Sequence, residues 1–239
     1  MTFSYTGLAY LFTTFSIFLL TYRFFQYWKK DKTLLGKLSF CYSAVFTLFV
    51  TITAIGGLFF AQNTLILKGV VISATFLQGL ACAVIAYLVF FLKLPQISPW
   101  IGFGTVFLLG LVATVLTILI PFYPTLEEGR TINWNVQLLP GVLRILAFLI
   151  SFIPLITIHL QQYKISRDPS VKDKALGLGI MFLLGFGGAI FDFLLEETLK
   201  LPAISSDIAL GGMAIVMLAV VIFTQKVLNS SPNKKASTL

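Results

Sequence analysis

Residues 69–92 read GVVISATFLQGLACAVIAYLVFFL, an uncharged run closed by Lys68 on one side and Lys93 on the other. An apolar helix needs roughly 20 residues to cross the hydrocarbon core of a bilayer. A helix resting on a soluble core keeps a polar face for water, and this run has none. It therefore predicts a transmembrane helix, and the same test carried outward organises the whole chain. Charge-free runs recur at 1–22, 38–67, 94–126, 145–163, 175–191 and 208–225. Together they predict seven spans, at 3–22, 38–60, 70–92, 100–122, 138–160, 176–198 and 208–225. The expected fold is all-α, a bundle of seven transmembrane helices over residues 1–228 with a flexible cytoplasmic tail at 229–239.

Composition agrees. Apolar residues make up 58% of the 239 residues and charged residues 11%, with a mean hydropathy of +0.95. A soluble domain runs at about 45–50% apolar and about 25% charged, so a water-soluble globule and a disordered chain are both excluded. Two cysteines exclude a disulfide-stapled scaffold. A cleaved signal peptide is not expected. No basic residue precedes the first segment, and Tyr22-Arg23-Phe24-Phe25 follows it where a small-residue cleavage site would stand.

Lys and Arg set the orientation, because cytoplasmic loops carry their excess. Thirteen fall on one side of the predicted spans: Arg23, Lys29, Lys30, Lys32, Lys37, Lys93, Lys164, Arg167, Lys172, Lys174, Lys226, Lys234 and Lys235. Three fall on the other, Lys68, Arg130 and Lys200, and Arg144 lies within a span. The split predicts an N-terminus outside and a C-terminus in the cytoplasm. The net charge of +8 then reflects membrane orientation and attraction to anionic headgroups rather than nucleic-acid binding. The expected partners are the lipid bilayer and a further membrane or cytoplasmic protein. Arg23-Phe24-Phe25-Gln26-Tyr27-Trp28-Lys29-Lys30 reads as an interfacial anchor, with aromatics at headgroup level and cations toward phosphates.

Charge inside a bilayer costs roughly 2.5–3.5 kcal/mol on insertion scales and marks a functional candidate. Arg144 and Asp192 each lie six residues inside the predicted outer ends of the fifth and sixth spans. At about 1.5 Å rise per residue both sit roughly 9 Å deep, so adjacent antiparallel helices would pair them. A structural brace is the plainer role for such a pair; a ligand or ion site is the functional one. Glu196 follows Asp192 by one helical turn and extends an acidic stripe outward. Gly185, Gly188 and Ala189 beside Asp192 suit close helix packing. Gln78, with Thr75 and Cys82 on its face, marks a polar stripe in the third helix, better explained by an interhelical hydrogen bond than by a ligand. Pro140 and Pro154 predict a kinked fifth helix.

The residue constellations that signal enzyme chemistry are missing. One histidine, His159, makes no zinc or two-histidine haem site. Cys41 and Cys82 form no CxxC, no GxSxG or phosphate-binding glycine loop occurs, and span 208–225 has no lysine for a retinal Schiff base. No catalytic residue, metal or cofactor is expected. Leu92-Lys93-Leu94-Pro95-Gln96-Ile97-Ser98 and Leu199-Lys200-Leu201-Pro202-Ala203-Ile204-Ser205 agree at all but one position. A true echo would mean inverted repeats, a transporter architecture. The flanking helices align poorly, and coincidence in an apolar chain explains the match more simply.

A basic stretch, Ser166-Arg167-Asp168-Pro169, leads through Lys174 into a glycine-rich sixth helix, and Leu201-Pro202 precedes the seventh. In these features the last three helices resemble the seven-helix sensor region at the N-terminus of some bacterial and archaeal histidine kinases. The resemblance implies a prokaryotic cell-membrane sensor. With no kinase domain in this chain, signalling would pass to a separate partner. The expected function is thus a non-enzymatic, receptor-like membrane protein. The alternatives are a small transporter or channel, and an accessory subunit of a membrane complex.

Overall fold

Lipid offers no hydrogen bonds, so an apolar segment inside it must satisfy its backbone internally, and the helix does so along its whole length. The computed structural model describes residues 3–127, 130–193 and 202–230. Its helices are α1 (Tyr5–Asp31), α2 (Leu34–Phe59), α3 (Thr64–Lys93), α4 (Pro99–Leu119), α5 (Leu138–Ile165), α6 (Pro169–Phe193) and α7 (Ala203–Ser230). Helices α1 to α5 and the Ala203–Val220 part of α7 are each long and apolar enough to cross a membrane. Helix α6 holds the uncharged run 175–191. The chain is an all-α helical bundle of membrane type.

The helices overrun the expected spans at their basic ends. The stretch 22–37, expected as a loop, is almost wholly helical, and only Lys32 and Thr33 separate α1 from α2. Lys32 adopts the left-handed conformation (φ 50°) and its N–H donates to Trp28 O at 2.8 Å. Thr33 then caps α2, its Oγ1 accepting from Gly36 N at 3.2 Å. Such local caps satisfy helix ends without a long connection.

Each helix packs on its sequence neighbour, α7 returns against α1, and α3 also meets α5. Helix α3 is consequently the most enclosed. With no water to drive association, close packing must hold the helices together. Backbones touch at two glycine crossings. A Cβ on Gly57 would lie 2.8 Å from Gly7 Cα, between α1 and α2. One on Gly110 would lie 2.7 Å from Gly79 Cα, between α3 and α4. Elsewhere aromatic rings fill the space. Phe46, Phe148, Phe152 and Phe182 form a chain of ring contacts joining α2, α5 and α6, the closest with centroids 5.0 Å apart.

Between α4 and α5 stands a small antiparallel hairpin, β1 (Thr125–Leu126) and β2 (Ile132–Asn133). Ile132 and Trp134 are buried with Phe122, Ala61, Leu67 and Val71, so the hairpin closes one end of the bundle. This end also holds the start of α1.

Several expectations are revised. Pro140 is the third residue of α5, where a missing N–H costs no helical bond. Only Pro154 is interior, where it frees the Ile150 carbonyl. The two seven-residue echoes differ in conformation: Gln96, Ile97 and Ser98 lie outside any helix, whereas Ala203, Ile204 and Ser205 are helical. Helix α7 continues two residues into the expected tail.

Candidate functional site

Among the described residues, two groups of polar side chains join segments distant in sequence. The first is the α3–α5 crossing. Gln78 lies mid-way along α3, where uncharged neighbours bury it, and Arg144 lies in the second turn of α5. Arg144 Nε donates to Gln78 Oε1 at 2.8 Å. Further along both helices, Ser151 Oγ donates to the Cys82 carbonyl at 2.9 Å. The contacts advance in the same direction on α3 and α5, as two parallel helices require. Thr75, expected on the same stripe, turns its hydroxyl onto the Val71 carbonyl of its own helix.

The other sequence candidates are placed less fully. Asp192 belongs to α6, but its side chain lies outside the described residues, as do the Ala189 side chain and all of Glu196. The proposed Arg144–Asp192 pair and the acidic stripe therefore rest on sequence depth alone. A Cβ on Gly188 would meet Met213 Sδ at 3.3 Å, so this glycine faces α7. No described atom lies within 4 Å of a Cβ on Gly185, so the close packing expected there is not made by described residues.

The second grouping is a knot where α1 begins. Ser4 Oγ accepts from Gly7 N at 2.9 Å and donates to the Gly57 carbonyl at 2.7 Å. Tyr5 N donates to Arg130 O at 2.8 Å; Arg130 is in the left-handed region (φ 58°). Ile132 N donates to Thr6 Oγ1 at 2.7 Å, and Thr6 Oγ1 donates to Asp207 Oδ2 at 2.6 Å. Thr6 thus links the hairpin to α7 through one hydroxyl, using both its acceptor and donor capacity. Asp207 is only 8% exposed. Lower down, Ser16 Oγ donates to the Ala214 carbonyl at 3.1 Å, tying α1 to α7 a second time.

Sequence reasoning missed Asp207. It sits one residue before the uncharged run 208–225, where charge marks no more than the end of a span. Its partner Thr6 is 201 residues away, and no local pattern signals that pairing.

In the knot the Thr6 hydroxyl meets the Asp207 carboxylate, but the same oxygen accepts from Ile132 N and both residues are buried. Among the described residues, no three His, Cys, Asp or Glu side chains come together as metal ligands. His159 stacks on Phe182 with ring centroids 5.4 Å apart, and its buried Nδ1 has no hydrogen-bond partner among the described residues. In both groupings the hydrogen bonds join segments distant in sequence. No family model matches the chain, and no curated protein matches it.

Proposed function

We propose that this chain is a non-enzymatic, multi-pass protein of the cell membrane that senses a stimulus at its outer face and passes it to a separate cytoplasmic partner. The observation supporting this most is the Ile132–Thr6–Asp207 link. The hairpin closes the end of the bundle where α1 starts, with Ile132 buried beneath it. Through Thr6 its backbone bears directly on α1 and on α7. Helix α7 runs from there to the opposite end, which the basic split assigns to the cytoplasm. Displacing the hairpin would therefore displace a helix whose far end meets cytoplasmic proteins. All seven helices crossing the membrane, with the N-terminus outside, belongs to the same reading.

A small transporter or channel is the second reading, favoured by the Arg144–Gln78 contact inside the bundle and by Pro154 in α5. Two measurements separate them. One follows uptake of ion and small-solute tracers into proteoliposomes. The other crosslinks from the α7 C-terminal end in native membranes. Sensing predicts uptake no faster than in protein-free vesicles and a crosslinked cytoplasmic signalling protein. Uptake that Arg144→Gln abolishes would move the function to transport.

A further inference from the structure

The α1–α2 turn carries more positive charge than any other short connection in the chain, and it is built on a rigid aromatic base. Lys29, Lys30, Lys32 and Lys37 are all exposed, and Asp31 is the one acidic residue among them. The turn is tight because Lys32 is left-handed and Thr33 caps α2 at once. Gly36 lets the helices meet: a Cβ there would lie 3.2 Å from Trp28 Cα. Immediately inside the turn, Trp28 stacks on Phe40 with centroids 5.6 Å apart and planes 12° from parallel. Phe25 packs on the same two rings, at 6.2 Å from Trp28 and 5.3 Å from Phe40.

Phe25, Trp28 and Phe40 match the amphipathic belt of a membrane boundary, and the lysines stand just beyond it. From these observations we infer that the α1–α2 turn is a docking surface for anionic phospholipid headgroups, which it holds against the Trp28–Phe40 stack. The inference rests on the membrane-embedded reading and is independent of what the protein senses. The phosphate and the additional negative headgroup charge meet the lysines. The acyl chains run down beside the rings. A cation near a membrane surface contributes about 1 kcal/mol toward anionic lipid, roughly a five-fold preference each, and less when several share one lipid.

The test uses the full chain with Trp100→Phe and Trp134→Phe, which leaves Trp28 as the one tryptophan. It is reconstituted in phosphatidylcholine vesicles containing a small fraction of brominated lipid, either phosphatidylcholine or phosphatidylglycerol. Quenching of Trp28 by both lipids establishes that the residue lies in the bilayer, which tests the underlying reading by itself. The expected result is that brominated phosphatidylglycerol quenches as though enriched about five-fold beside Trp28. The enrichment should vanish in Lys29→Gln/Lys30→Gln/Lys32→Gln/Lys37→Gln and persist in Lys68→Gln, at the other end of the bundle. Should the tryptophan substitutions unfold the protein, native mass spectrometry of the otherwise unaltered chain reads the same preference as phosphatidylglycerol retained over phosphatidylcholine. Equal quenching or equal retention of the two lipids overturns the inference, as does a preference that survives the four substitutions. Equal lipid affinity together with binding of a soluble acidic peptide at these lysines would reassign the surface to a protein partner.

Discussion

Gly110→Ala offers a quantitative check on the packing, because its consequence follows from one distance. The added methyl carbon would stand 2.7 Å from Gly79 Cα and 3.3 Å from Gly79 C. Both are backbone atoms, so no side chain can swing aside. Restoring ordinary carbon–carbon contact requires α3 and α4 to separate by about 1 Å at the crossing, loosening the dispersion contacts around it. Overpacking of this kind costs about 1–3 kcal/mol. Alanine also recovers up to about 1 kcal/mol of helix propensity, which would blur a single measurement. Gly104→Ala supplies the correction: it lies on the same helix, and nothing stands within 4 Å of its added methyl. Propensity is common to both and cancels in the difference. Gly110→Ala should therefore be less stable than Gly104→Ala by about 1–3 kcal/mol. Reversible unfolding in mixed detergent micelles, followed by circular dichroism, measures it. Equal stability of the two variants, or a more stable Gly110→Ala, would refute the α3–α4 backbone contact.

Thr6→Val keeps the shape of the side chain but removes the hydroxyl, so Ile132 N–H loses its acceptor and Asp207 loses a donor. A stability loss of about 1–3 kcal/mol and faster proteolysis of the hairpin are expected, with Thr6→Ser close to the parent. The proposed Arg144–Asp192 pair is tested by a double-mutant cycle. Each alanine substitution alone should destabilise by about 3–5 kcal/mol, and the double variant by less than the two losses added. Simple additivity would remove the pair. Gln78→Leu should destabilise by about 1–3 kcal/mol and do so less once Arg144 is alanine, because Arg144 Nε donates to Gln78. A reporter fused after Leu239 should be cytoplasmic; external accessibility would sink the orientation.

The helices were legible because charge is excluded from the bilayer, and uncharged runs are easy to count. The same signal misplaces their ends. Charge marks the membrane boundary, whereas backbone hydrogen bonding continues past it, so α1 runs on through Arg23 and Lys30 to Asp31. The hairpin was hidden because two-residue strands show no alternation to read. Arg144 and Gln78 were each singled out, but depth arithmetic considers only sequence-adjacent helices. The α3–α5 contact joins helices that are not consecutive in sequence, which no local pattern encodes. The Gly79–Gly110 crossing was missed for a related reason: each glycine is unremarkable in its own helix and acquires meaning only opposite the other.

These contacts brace α3, α4 and α5 to one another and tie α7 to α1. Helices α3, α4 and α5 are joined by the Gly79–Gly110 crossing, the Arg144–Gln78 contact and the Ser151–Cys82 hydrogen bond. None of these can slide without a backbone clash or a polar group stranded in an apolar interior. Helix α7 is tied to α1 at two depths, through Asp207 and through Ala214. Its approach to α6 at Gly188 is made by the flexible Met213 and Leu210 side chains. Rotamer changes at such side chains accommodate small helix movements cheaply. Helix α1 is itself held to α2 by the Gly7–Gly57 backbone contact and the Ser4–Gly57 hydrogen bond, so the softest packing a displacement from the hairpin meets is that of α7 on α6. The sensing proposal requires a pull on Ile132 to be relieved there, by movement of α7 against α6.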